Sequence, residues 1–178
     1  MHRIQIKDKF FELFIPETEI LKAVENMAAA ITSDMKEKDL LFVCVLNGSF
    51  MFASDLIKNI KTPCNISFIR LQSYEGVNTE GKVKEIQGLT ENIAGRNIII
   101  IEDIIDTGHT MNHLLKLMQD KKPQSIRIAT LLFKPSALQM DVKPDYVALT
   151  IPNDFVVGYG LDYDGYGRNL KDIYKVKD

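Results

Sequence analysis

Short unbroken runs of apolar residues alternate along this chain with stretches in which apolar residues recur every three or four positions. Residues 40–46 form one such run, as expected of a strand covered on both faces. Residues 65–71, 98–101, 126–133 and 146–151 read as four more strands. Ile20, Val24, Met27, Ala28 and Ile31 share one face of a helix opened by Pro16, whose fixed φ suits a first helical turn. Asn47-Gly48-Ser49 breaks the first run, and Phe50, Ala53, Leu56, Ile57 and Ile60 suggest a second helix. Met111, Leu114, Leu115 and Met118 make a third helical stripe. Strands separated by helix-length crossovers predict an α/β fold, a parallel sheet with helices on both faces. Ligands of such sheets bind beyond the carboxyl ends of the strands. The residues that follow each strand are therefore the ones to examine.

The segment 72–93 departs from this pattern. It is long, polar and punctuated by Gly76, Gly81 and Gly88, and a loop of that length in a compact domain is usually functional. It reads as a mobile lid, which is compatible with a plain β-hairpin excursion. Length and composition fit one compact domain, residues 1–178, with 46% hydrophobic and 26% charged residues. The net charge of −2 gives no electrostatic footprint for a nucleic-acid partner, so phosphate recognition must be local. Cys44 and Cys64 read as free, reduced thiols. No terminal apolar stretch reads as a signal peptide, and the apolar runs are too short to span a bilayer. These features together place the protein in the cytoplasm.

The decisive chemistry lies after the third strand. Four isoleucines lead into Glu102-Asp103, then Ile104-Ile105, then Asp106-Thr107-Gly108-His109-Thr110, with a helix starting straight after. The two threonine hydroxyls and successive backbone N–H groups can encircle a monoester phosphate. A helix N-terminus adds favourable partial charge. Gly108 leaves room for close approach of the backbone to a ligand. Two adjacent carboxylates at a ligand edge repel unless hydroxyls or a cation sit beside them. A ribose diol and Mg²⁺ satisfy that need, since Mg²⁺ favours oxygen ligands and substrate phosphates. The plainer alternative is a solvated acidic turn with Asp106 as helix N-cap.

This segment closely resembles the signature of the type I phosphoribosyltransferases, and the likeness extends from the helix after Pro16 to Arg168. In detail it is similar to the hypoxanthine-guanine branch. Leu46-Asn47-Gly48-Ser49, Ser73-Tyr74, Lys134 and the stretch from Asp154 through Phe155, Val156, Leu161 and Asp162 to Arg168 carry that match. The fold implied is a five-stranded parallel core flanked by helices, with a small hood built from both chain ends. The resemblance implies that Glu102 and Asp103 face the ribose hydroxyls and the metal, and that Thr107, Gly108, His109 and Thr110 hold the 5′-phosphate. Asp106 would stand near N7 of the purine and help move its proton. Lys134 would donate to O6, Phe155 would stack on the base, and Val156 and Leu161 would line its far edge. Asp162 resembles a second metal-associated acid, and Arg168 resembles a pyrophosphate clamp. Ser73 and Tyr74 would begin the lid.

An ammonium has donors only, so a lysine on O6 gives a physical basis for rejecting adenine. Without the resemblance, Lys134 reads as a surface lysine, Phe155 as a core phenylalanine and Arg168 as a partner of Asp164 or Asp172. At Asn47-Gly48 the family often has a non-proline cis peptide that frees amides for pyrophosphate. Asn47 replaces the family's common lysine there, and His109 replaces a frequent lysine in the phosphate loop. His109 and His113 are four apart, but nothing in the pattern supplies a third zinc ligand. A preference for xanthine stays open, because contacts to the 2-position are largely backbone. A nucleotide-sensing regulatory homologue is the other alternative, disfavoured by the acidic balance. Substrates would be a 6-oxopurine and phosphoribosyl pyrophosphate, with no nucleic acid and no membrane, and the family is typically a homo-dimer or homo-tetramer.

Overall fold

The computed structural model describes residues 3–73, 83–89 and 91–177. The predicted core is present as β3 (Leu40–Leu46), β4 (Cys64–Ser73), β6 (Asn97–Ile105), β7 (Ser125–Phe133) and β8 (Tyr146–Thr150), all parallel, in the order β4-β3-β6-β7-β8. A short antiparallel strand, β5 (Val83–Gln87), extends the β4 edge through pairs such as Ser73↔Val83. The excursion after β4 therefore returns as a hairpin arm. Ser73 closes β4, whereas Tyr74 and the centre of the expected lid lie outside the described residues.

The unbroken apolar runs follow from coverage on both faces. Along β3, Leu40, Phe42 and Cys44 face α1 (Glu17–Asp34) and α2 (Phe50–Asn59), while Leu41, Val43 and Val45 face α3 (His109–Gln119). Alternate side chains of β6 divide in the same way, Ile99 and Ile101 to one side and Ile98 and Ile100 to the other. Burial pushes the Cys44 thiol up to about 12, so it stays protonated and acts as a small hydrophobe. No helix among the described residues is long and apolar enough to cross a membrane.

The hood is a four-stranded antiparallel sheet ordered β1-β2-β10-β9, from β1 (Arg3–Ile6), β2 (Lys9–Ile15), β9 (Val156–Val157) and β10 (Ile173–Lys177). It joins the two chain ends, as the resemblance implies. Pro16 does not occupy the first helical turn. It is the N-cap of α1 with extended backbone (φ −73°, ψ 152°), and its carbonyl accepts from Glu19 N and Ile20 N. The orphan Glu17 N–H donates to Asp172 Oδ1 at 2.8 Å, so the far end of the chain caps the first helix.

Tyr159 ties the hood side to the core. It lies in a left-handed turn (φ 47°), is wholly buried, and its hydroxyl donates to Asp55 Oδ2 on α2 at 2.5 Å. Burial and the adjacent carboxylate hold the Tyr159 phenol well above its ordinary value, so it remains a donor at any working pH. Tyr159→Phe is expected to lower unfolding stability by about 1–2 kcal/mol. The cost stays modest because Asp55 keeps its ion pair with Lys58. Urea denaturation of the two proteins measures the difference.

Candidate active site

The strand that carries the acids is longer than its apolar run. Ile104 and Ile105 keep pairing with Leu132 and Phe133 of β7, so Glu102 and Asp103 lie within β6 rather than beyond its end. Glu102 is buried at 7% exposure and Asp103 is half-buried. Asp103 Oδ1 accepts from Ile104 N at 2.9 Å. Burial pushes both carboxyls above their ordinary range, and the Asp103 charge pushes Glu102 further, well above it. Of the two, Glu102 is the one whose charge is more strongly disfavoured. The Arg168 charge works in the opposite sense on Asp103.

Asp106, Thr107 and Gly108 form the turn between β6 and α3, and the helix begins at His109, so Thr110 sits in its first turn. Gly108, not Asp106, is the N-cap, with φ 84°. A methyl group added at Gly108 would meet Leu138 Cδ1 at 3.0 Å and Met140 Cβ at 3.3 Å. Positive φ and packing against Leu138 and Met140 favour glycine here, in addition to any demand a ligand makes. The Thr107 carbonyl accepts from Gln139 N and Met140 N, which fixes the turn from below. Glu102 and residues 104–111 line one concave pocket. A roomier cavity near the opposite strand ends, lined by Gln119, Lys122 and Lys143, has no such convergence of helix N-terminus, hydroxyls and carboxylates.

Lys134 is not a surface lysine. It follows β7 directly and is 5% exposed, and its Nζ donates to Asp106 Oδ2 at 2.9 Å. The β6–β7 register places Ile105 opposite Phe133, so the next residues on the two strands meet at the sheet's carboxyl edge. A donor-only cation is thus paired with a carboxylate that lines the pocket. Phe155 is not a core residue either, being 43% exposed, whereas Val156 and Leu161 are buried. The base-edge candidates are thus one open ring carried by the hood and two packed aliphatic residues.

The pyrophosphate-loop candidates converge on the acids. The Leu46–Asn47 peptide is cis. Asn47 is exposed, while a methyl group at Gly48 would lie 1.5 Å from Asp103 Oδ2 and one at Gly160 would lie 2.0 Å from the Gly48 carbonyl oxygen. The Gly48 backbone is thus clamped between the Asp103 carboxyl and the 158–161 turn. Arg168 Nη1 donates to the Gly160 carbonyl at 2.7 Å and Nη2 pairs with Asp162 Oδ1 at 2.6 Å, so its partner is neither Asp164 nor Asp172. Asp162 Oδ2 accepts from Gly165 N at 2.7 Å. No cluster of three metal-ligating side chains occurs among the described residues. Glu102 and Asp103 fit a hard cation as a desolvated carboxylate pair that substrate oxygens would complete, the usual manner for Mg²⁺. Asp162 has both oxygens engaged. His109 contacts Gln139 Oε1 at 3.2 Å. Sequence reading misses Gly160 and the Asp106–Lys134 pair. A Gly-x-Gly step at 158–160 is the one local sign of the first.

The sequence matches the phosphoribosyl transferase domain family over residues 16–164. It is 42% identical over 173 residues to a hypoxanthine-guanine phosphoribosyltransferase of Bacillus subtilis, covering 97% of this chain and 96% of that protein. The crystal structure of a hypoxanthine phosphoribosyltransferase from Staphylococcus aureus superposes with a TM-score of 0.89 at 41% identity, over 93% of this chain and 91% of that one. A hypoxanthine phosphoribosyltransferase from Trypanosoma cruzi, in a ternary substrates complex, gives a TM-score of 0.87 at 35% identity, over 93% and 94%. With its parallel core, its acidic strand end and its threonine-bearing turn, this chain belongs to the phosphoribosyltransferase family.

Proposed function

We propose that residues 1–178 act as one cytoplasmic, magnesium-dependent enzyme of purine salvage, a homo-dimer or homo-tetramer that joins hypoxanthine or guanine to phosphoribosyl pyrophosphate. The observation that carries this reading is the Lys134–Asp106 pair beside the Thr107–Thr110 turn. A 6-oxopurine presents an acceptor at O6 and a ring N–H beside it. The lysine serves the first and the carboxylate takes the proton of the second. Adenine offers an amino group where the ammonium needs an acceptor, and leaving one of its buried donors unsatisfied costs on the order of 1–3 kcal/mol.

In the reaction the purine N9–C1′ bond forms as the C1′–oxygen bond to pyrophosphate breaks. Asp106 accepts the proton the base gives up. Thr107, Gly108, His109 and Thr110 hold the 5′-phosphate through amides and hydroxyls at the start of α3. Glu102 and Asp103 accept hydrogen bonds from the ribose hydroxyls and would hold magnesium. When bound, the ion supplies charge neutralisation to the pyrophosphate. Arg168 and the amides around Asn47 and Gly48 receive that group, with Asp162 orienting Arg168. Phe155 stacks on the base while Val156 and Leu161 border it.

Asp106→Asn is expected to lower kcat by ~10²–10⁴-fold, the usual contribution of a positioned base, with binding of the product nucleotide nearly intact. Steady-state kinetics and calorimetry with inosine monophosphate check this, and equal loss of both would count against a catalytic role. The acidic pair gives a second prediction. A carboxyl raised by burial favours folding when protonated, so stability is fully present below the ordinary carboxylate range and falls as pH rises through the raised value. Glu102→Gln removes that titration. Without metal it should melt higher than the parent protein at pH 7.5, with the gap closing towards pH 4, while kcat/KM falls roughly 10–100-fold. Thermal melts at both pH values, run beside the assay, test the pairing of gained stability with lost activity.

A further inference from the structure

The Phe155 ring packs against hood strand β2 and the 163–166 segment. Its backbone carbonyl accepts from Val176 N of β10 at 2.9 Å. Its ring meets Phe11 of β2 at a centroid distance of 6.4 Å and Tyr163 edge-on at 5.8 Å, with an interplanar angle of 85°. The Lys9 ammonium lies 5.6 Å from the Phe155 centroid and 5.0 Å from that of Tyr163. A phenylalanine serving only to fill a core would be buried, yet this one keeps 43% of its surface open.

The support for Lys9 comes from the tight turn between β1 and β2. Lys7 takes positive φ (52°), which turns the chain so that Asp8 and Lys9 face the 163–166 segment. Tyr163 Oη donates to Asp8 Oδ1 at 2.9 Å. Lys7 pairs with Asp164 and lies 4.9 Å from the Tyr166 centroid. Two residues of the turn, Lys7 and Asp8, are thus anchored to the segment that flanks Phe155, and Lys9 projects its charge between the two rings. An ammonium over an aromatic face is attracted by the ring quadrupole and restricts the ring's orientation.

We propose that Lys9, together with the Asp8–Tyr163 bond, is a positioning device that holds the Phe155 ring in the orientation needed to stack on the incoming purine. This inference rests on the assignment of Phe155 to the base. It makes an N-terminal hairpin, remote in sequence from every site residue, a determinant of purine affinity. The side-chain contacts of Lys9 and Asp8 are to Phe155 and Tyr163, so the KM for phosphoribosyl pyrophosphate serves as the control.

The test is a steady-state comparison of the full chain and its Phe155→Ala, Lys9→Met, Lys9→Arg and Tyr163→Phe variants. Each is assayed with hypoxanthine, phosphoribosyl pyrophosphate and magnesium, with a thermal melt recorded for each. Lys9→Met keeps the aliphatic stem and removes the charge. It should raise the KM for hypoxanthine about three- to tenfold, with kcat and the KM for phosphoribosyl pyrophosphate changed less than about twofold. Lys9→Arg should restore the value to within about twofold, since a guanidinium covers the same rings. Tyr163→Phe, which keeps the ring and breaks the Asp8 bond, should move the hypoxanthine KM in the same direction. If Phe155→Ala raises that KM and Lys9→Met does not, the device is overturned while the base assignment stands. If Phe155→Ala leaves it unchanged, the base assignment itself fails and the device falls with it. If Lys9→Met lowers the melting temperature and shifts both KM values together, the lysine is merely structural and the proposal is overturned.

Discussion

Two acidic side chains embedded in the central strand set the terms for the rest of this structure. Glu102 and Asp103 lie in β6, flanked on both sides by parallel strands, where water is scarce and charge is disfavoured. Four isoleucines before them and two after hold the strand in register, so the carboxyls cannot swing out to solvent without breaking the sheet. Such a pair opposes folding on its own. It is tolerable where something brought from outside will answer it, and the surrounding parts are arranged around that need. Gly48 leaves its side-chain space to Asp103, Arg168 supplies a nearby cation, and the Thr107–Thr110 turn opens a pocket on Glu102.

The core is legible in the sequence because burial on both faces removes the usual alternation of strands. Residues 40–45 are all buried, and a run so uniformly apolar belongs in the middle of a covered sheet. The hood is not legible from pattern. Its strands mix exposed and buried positions, β2 carries Lys9 and Glu12, and its partner β10 lies about 160 residues away. Nothing local announces such a pairing, and only the family resemblance points to a hood from the chain ends. Helix α1 shows the same limit. Its apolar face is plain, but the group that caps it, Asp172, belongs to the other end of the chain.

In the site, the residues adjacent in sequence are readable and those adjacent only in space are not. The turn after β6 declares itself by composition. Lys134 does not, since an isolated lysine at a strand end is ordinarily solvated. Its burial comes from the parallel register, which brings a position 28 residues away to the same corner. Gly108 shows a further demand that its place in the motif does not announce, since its Cβ position faces Leu138 and Met140. A glycine in a phosphate turn can be demanded by what packs beneath it as well as by what binds above.

The close approaches of Gly48 and Gly160 join the two halves of the site. The 47–49 loop follows the core strand β3, and the 158–161 turn continues from the hood strand β9. With backbone against backbone and Arg168 bonded to the Gly160 carbonyl, neither can shift alone. Tyr159 reinforces this by reaching from the same turn to Asp55, about one and a half turns into the helix that follows the loop. On the proposed reading, a base on the hood and a phosphate on the core meet across a fixed distance. Where two reactants must come into line for one bond to form as another breaks, that rigidity contributes to rate directly, by removing freedom the reactants would otherwise lose at the barrier.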